Sequence, residues 1–343
     1  MANMARRHPS EEHRLIESLK PLVNAGSNPH YLLGIGDDAA IRACAGEKLI
    51  LTADSQIEGT HFSLDYMSIP EVGYRAMAVN LSDCAAMGAK PDGAVVQVVF
   101  PKTLETPNAS IRKLYRGILR ACRRWDFPIV GGDIAGGPCW MIAVTLLGAL
   151  VGEAKPRTRK GALAGDGLWV TGRPGESAAG RAALVKWGRC GISRRFRGHA
   201  ARHVTPQPRL ELGRALAGDH RVHTMIDVSD GISKECRTLA FENSLAILLD
   251  AGAFPLTPSL KALAAELSID PCDWFLHGGE DYELLFAASP DYVPAKGAEV
   301  AVTMIGRFVA GKPKVVLSDH RSGTRAVPNA GWDHARKRLP ASQ

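Results

Sequence analysis

The residues best placed to do chemistry are acids in apolar or glycine-rich company. They are Asp37 and Asp38 in GIGDDAAI, Asp54 in LTADS, Asp83 in NLSDCAAMG and Asp133 in IVGGDIAGG. Further on come Asp227 and Asp230 in MIDVSDGIS, then Glu280 and Asp281 in HGGEDYEL. A carboxylate at the end of an apolar strand is costly to desolvate unless it is paired or bound to a cation. Nearby Lys and Arg are too few to pair them all. One such acid alone reads as a helix cap or turn residue, as Asp227 would before a helix near Asp230. The whole set exceeds what caps explain. Hard oxygen donors without Cys or clustered His suit Mg²⁺, which is held by a few carboxylates, water and substrate phosphates.

Glycines complement the acids. Gly131-Gly132, Gly136-Gly137, Gly172 to Gly175 and Gly278-Gly279 allow backbone N–H groups to approach phosphate oxygens, or simply make tight turns. No G-x-x-x-x-G-K-[ST] occurs, and protein-kinase signatures are absent. Gly34 to Ala39 fits G-x-G-x-x-A by letters, but two aspartates there would repel a pyrophosphate. The residues therefore point to a Mg²⁺-dependent, phosphate-handling enzyme whose acids converge from distant segments. Phosphoryl transfer needs metals and positioning more than covalent help.

The elements that must position these acids alternate in type. Helical spacing covers residues 12–25, 72–87, 106–125, 177–186, 207–217, 231–243 and 258–267. Strand patterns cover 48–53, 94–100, 128–130, 140–151, 167–171, 225–226, 246–249, 283–287 and 300–305. This predicts an α/β (α+β) chain of two domains, residues 1–151 and 152–343, with the boundary in the Gly-, Lys- and Arg-containing stretch 152–166.

The chain has 343 residues, 45% hydrophobic and 22% charged, which excludes a disordered polymer. The longest apolar run, Trp140 to Val151, is short of the ~20 residues that span a bilayer. A polar stretch after Arg6-Arg7 does not read as a signal peptide. The seven cysteines are scattered without C-x-x-C, as expected of reduced cytoplasmic thiols rather than a zinc site. The net charge of +7 is concentrated at Lys186 to Arg202, which has no acid and reads as a solvated surface insertion rather than a nucleic-acid site.

In order, GIGDDAAI, LTADSQIEGTHF, AMAVNLSDCAAMGAKPDG, IVGGDIAGGP, VTGRPGESAAG, MIDVSDGIS and HGGEDYELLF closely resemble the thiamine-monophosphate kinase family, within the aminoimidazole-ribonucleotide-synthetase superfamily. The resemblance spans roughly residues 10–335. It implies ATP-dependent phosphorylation of thiamine phosphate to thiamine diphosphate, several Mg²⁺ ions between two domains, and a homodimer formed through the N-terminal sheet. By position, Asp38, Thr52, Asp54 and Asp83 match magnesium ligands of the family, as do Asp227 and Asp230. Asp133, with Gly132, matches a motif touching both nucleotide and metal. Tyr115, Arg159 and Ser229 match nucleotide contacts, and His61, Glu280 and Trp332 match contacts to thiamine phosphate.

Ala53 stands where the family usually carries a threonine near a metal, so only a backbone ligand would survive there. Two other readings stay open: a sister ATP-dependent synthetase of the superfamily, and a non-catalytic nucleotide-binding regulator. The first 43 residues contain no Cys, against a selenophosphate synthetase, and the C-terminus has no cysteine tail, against a hydrogenase-maturation relative.

Overall fold

The structure is a computed structural model. It describes residues 30–34, 36–44, 47–150, 155–295, 297, 299–319 and 323–335, with residues 14, 16, 17 and 21. The helix expected over 12–25 lies outside the described residues except at those four positions.

The first sheet contains β1 (Tyr31–Leu33), β2 (Ala40–Cys44), β3 (Glu47–Ile57), β4 (Lys90–Pro101), β5 (Ile129–Gly137) and β6 (Met141–Ala149). Their spatial order is β1-β2-β3-β6-β4-β5, antiparallel throughout except for the parallel β4–β5 pair. Helix α1 (Ile69–Ala86) is buried around nearly its whole circumference, as expected of a helix enclosed by other elements. Sheet one lies on one side of it, and α2 (Pro107–Trp125) packs alongside. The two helices approach closely because Gly117 has no side chain. A Cβ there would stand 1.7 Å from the Pro70 carbonyl oxygen.

The second sheet contains β7 (Gly167–Thr171), β8 (Val222–Asp227), β9 (Ala246–Asp250), β10 (Leu284–Ala288), β11 (Val302–Val309), β12 (Lys314–Asp319) and β13 (Gly323–Ala326). Its order is β13-β12-β9-β11-β7-β10-β8, with only β12 and β9 parallel. Helices α3 (Glu176–Gly191), α4 (Arg197–Val204), α5 (Leu210–Gly218), α6 (Ile232–Asn243), α7 (Pro258–Leu267) and α8 (Pro271–His277) accompany it. Strand β10 is buried at every position, so its apolar run is continuous. Leu284, Phe286 and Ala288 face the core shared with α1 and the first sheet. Leu285 and Ala287 face a second core with Leu168, Val170 and Ile226. Helix α1 also touches α5 and β8, so it is the element where the two sheets meet.

The structure differs from the sequence reading in three places. IVGGDIAGG is a strand rather than a strand end running into a loop, because its backbone pairs with β4. Gly132 is required there, since a Cβ would lie 2.0 Å from the Val96 carbonyl oxygen. Strand β3 runs through Asp54 to Ile57 instead of ending at it. The basic stretch, read as a surface insertion or enlarged loop, folds as the end of α3, a 3-10 turn at Arg194–Phe196, and α4. Three of its arginines are paired, Arg189 with Glu71, Arg195 with Glu266 and Arg202 with Glu176.

Candidate active site

The site forms where β3, α1 and the end of β8 converge. In β3, alternation sends Thr52, Asp54 and Gln56 to the face that carries α1 and sends Leu51, Ala53 and Ser55 to the other. Helix α1 answers from two turns. Asn80 Oδ1 accepts the Asp54 N–H at 3.0 Å, and Asp83 Oδ2 accepts the Thr52 hydroxyl at 2.5 Å. Ser82 donates to Asp227 Oδ2 at 2.6 Å, tying the helix to the last residue of β8. Asp38, in the loop before β2, completes the group.

Asp38, Asp83 and Asp227 each present a carboxylate oxygen, all within 4.8 Å of one another. Burial raises the pKa of all three, and the neighbouring acids raise those of Asp83 and Asp227 further. Asp83 is pushed well above the carboxylate range, and Asp227 to about 8. Arg159 is the counterweight. Its guanidinium bonds Asp38 Oδ1 at 2.5 Å, and its backbone N–H donates to Asp37 Oδ2 at 3.1 Å. Asp38 Oδ2 remains buried without a hydrogen-bond partner. Three converging hard oxygens and one orphaned carboxylate oxygen fit a Mg²⁺ ion.

Next to this cluster opens a cleft of about 420 Å³. Asp54, Ser229 and Asp230 line it together with His61, Glu280 and Trp332. Sequence positions from both halves of the chain thus share one cavity. His61 Nδ1 accepts the Ile57 N–H at 3.1 Å, so the neutral ring carries its proton on Nε2. Burial, then His334, lowers the His61 pKa to about 4 and keeps the ring neutral near pH 7. Trp332 and His334 pack edge to face at 5.4 Å. Burial would raise the Glu280 pKa, but Arg75, His203 and Arg181 outweigh it, and the group stays an anion. Glu280 holds a left-handed backbone at φ 56, fixed by its N–H on the Ser229 carbonyl at 2.6 Å.

Some expected residues are not brought together. Asp133 is exposed on β5, the far edge of the sheet. The register places it in line with Gln97, Ala143 and Ser55, on the face opposite Asp54. Three strand spacings make that roughly 14 Å. Gly132 lies in line with Asp54 at the same three-strand remove. Tyr115 sits half-buried against the core from α2, outside the cleft lining. Ala53 lies on the face away from Asp83, so its methyl group cannot take part.

The sequence reading also missed residues. Lys234, 2% exposed, bonds Asp230 at 2.7 Å, and buried Glu235 accepts the Asp230 N–H at 2.9 Å. Arg75 and Arg181 flank Glu280. The signal available in α6 was the adjacent pair Lys234-Glu235 in the first turn, directly after the MIDVSDGIS motif.

Residues 36–154 match the family described as AIR synthase related protein, N-terminal domain. The chain is 36% identical over 302 residues to the thiamine-monophosphate kinase of Mycobacterium tuberculosis, covering 88% of this chain and 85% of that one. It is 30% identical over 335 residues to the thiamine-monophosphate kinase of Bacillus subtilis, covering 94% and 99%. A solved structure described as AaThiL complexed with AMPPCP and TMP superposes with a TM-score of 0.82 at 28% identity, covering 97% of this chain and all of that one.

Proposed function

Because the chain belongs to the thiamine-monophosphate kinase family, we propose that it transfers the γ-phosphoryl group of ATP to the phosphate of thiamine phosphate, giving thiamine diphosphate and ADP. The observation that carries this reading is the single cleft in which Asp54 and Asp230 stand beside His61, Glu280 and Trp332. Asp38, Thr52, Asp54, Asp83, Asp227 and Asp230 would hold Mg²⁺ ions, with Ala53 offering at most its carbonyl. Bound Mg²⁺ would supply the positive charge that lets two phosphate-bearing reactants approach. The attacking oxygen belongs to a phosphate already ionised near neutral pH, so no side chain needs to act as general base. The protein's own residues hold and orient. Arg159 and Ser229 bind the nucleotide, and Trp332 offers a flat face to the cationic thiazolium. Glu280 supplies a carboxylate, and His61 an Nε2–H donor.

The same reading extends to the assembly. The sheet face carrying Leu51, Val95, Gln97 and Thr145 is exposed in the protomer, as is every interior position of β5. Gly132, Asp133 and Tyr115 lie outside the cleft lining of their own chain, so their nucleotide and metal roles would be played in a homodimer formed on this face. Free thiols at all seven cysteines support a cytoplasmic setting. Residues 1–151 would then carry most metal ligands and the dimer face, and residues 152–343 most of the acceptor side.

The test is ADP release with ATP and thiamine phosphate, against ATP with free thiamine or with acceptors of the sister synthetases. Turnover should require Mg²⁺ and thiamine phosphate together. ADP release only with a sister acceptor, or none with any, would sink the reading. Trp332→Ala should raise KM for thiamine phosphate several-fold at an unchanged KM for ATP. An equal rise in both would make Trp332 a support of the fold.

A further inference from the structure

Arg75 lies within α1 with no exposed surface, the largest side chain so enclosed among the described residues. A buried guanidinium is retained only where its donors are used. Here each nitrogen has a distinct partner. Nε donates to Gln56 Oε1 at 3.1 Å, Nη1 to the His203 carbonyl at the end of α4, and Nη2 to Glu280 Oε1. The same guanidinium lies 5.7 Å from the centre of the Tyr282 ring. Gln56, Glu280 and Tyr282 all line the cleft, Gln56 from β3 of the first sheet and Glu280 and Tyr282 from the loop that leads into β10 of the second. Arg75 itself does not line it.

Its place on α1 adds the second half. Arg75 and Ser82 are seven residues apart, so they share one stripe of the helix, two turns or about 10 Å from each other. Ser82 grips Asp227 in the acid cluster, while Arg75 grips Glu280 in the wall of the cleft. One rigid helix therefore sets the distance between the two.

We propose that Arg75 is the positioning residue of the acceptor subsite: it fixes Glu280, and with it Gln56 and Tyr282, at a set distance from the metal-binding acids. This rests on the thiamine phosphate reading above. Glu280 cannot be oriented by its own backbone alone, since its left-handed conformation places the side chain without choosing a rotamer. A lysine would keep the charge but lose the fork that reaches three partners.

The test is a double-mutant cycle of Arg75→Lys and Glu280→Gln, read in KM for thiamine phosphate, KM for ATP, kcat and the thermal midpoint. Arg75→Lys, which keeps the buried charge, should fold and should raise KM for thiamine phosphate about tenfold, with KM for ATP within about twofold. In the Glu280→Gln background it should add little further to that KM. Equal rises in both KM values, fully multiplying effects of the two substitutions, or a wild-type KM in Arg75→Lys would each overturn the proposal. If Arg75→Lys unfolds, Gln56→Ala supplies the reading: it removes one tethered group and should raise the same KM selectively, and an unchanged KM would overturn the tether. A wild-type protein that releases no ADP with thiamine phosphate would overturn the functional reading instead, which separates the two failures.

Discussion

Asp227 ends β8 with its carboxylate turned toward Asp38 and Asp83; Asp38 and Asp227 are buried and Asp83 is half-buried. Like charges at this spacing oppose joint ionisation, so the folded protein gains from any divalent cation it holds. At a hundred times its Kd, a bound ion stabilises the folded state by about 2.7 kcal/mol. Mg²⁺ should therefore raise the thermal midpoint of the EDTA-treated protein by a few degrees, and Asp227→Asn should remove most of that rise. Scanning calorimetry of both proteins with and without Mg²⁺ decides it; an undiminished rise in Asp227→Asn would place the ion elsewhere. Asp38, Asp54, Asp83 and Asp227 were legible in the sequence because each acid sits in a short motif whose apolar neighbours make it anomalous. Arg75 was not legible. A single arginine in a largely apolar helix does not reveal what it holds, because its partners lie 19 residues before it and 128 and 205 residues after it. Thr52 was legible only by resemblance, since its one informative contact is with Asp83, 31 residues away.

Helix α1 carries the site, so its start matters. Glu71 accepts the Ser68 N–H at 2.8 Å and closes the N-terminal turn. It also receives Arg189 from the basic end of α3. Burial would raise the Glu71 pKa, but the hydrogen bonds from Arg189 and Ser68 outweigh it and bring the group down to about 2 from its ordinary 4.5. A depressed folded pKa contributes stability above the unfolded value and loses it as pH falls through the folded one. The thermal midpoint of Glu71→Gln should thus lie below wild type near neutral pH, and the gap should narrow from about pH 4.5 down to about pH 2. A gap that stays constant over that window would mean the carboxylate's charge plays no part. Arg189 also shows what the basic stretch did not disclose as a sequence: its acidic partner stands 118 residues earlier. Element types were otherwise legible wherever periodicity ran long, as at Pro258–Leu267, predicted at its observed bounds. Short late elements such as α8 and β12 went unread because seven or six residues give too few repeats of either period.

Across the whole molecule, Asp133 poses a problem of distance. Within one protomer it stands three strands from Asp54 and on the other face of the sheet. If it serves the site from a second copy, each cleft of a two-fold dimer uses Asp54 of one chain and Asp133 of the other. Asp54→Asn and Asp133→Asn should each lose at least ~10²-fold in turnover as pure proteins, as expected when a group stabilising the transferring phosphoryl is removed. Mixed, dissociated and reassociated, they should recover activity. Random pairing makes half the dimers mixed, and each mixed dimer has one cleft with both acids intact, so about a quarter of wild-type turnover should return. If both acids act within one chain, every cleft keeps one lesion and no mixture recovers anything. The measurement is steady-state ADP release from the reassociated mixture, with each single variant carried through the same dissociation as its control. Recovery well above both controls assigns Asp133 to the partner's cleft, and its absence sends Asp133 back to a role on the exposed strand alone.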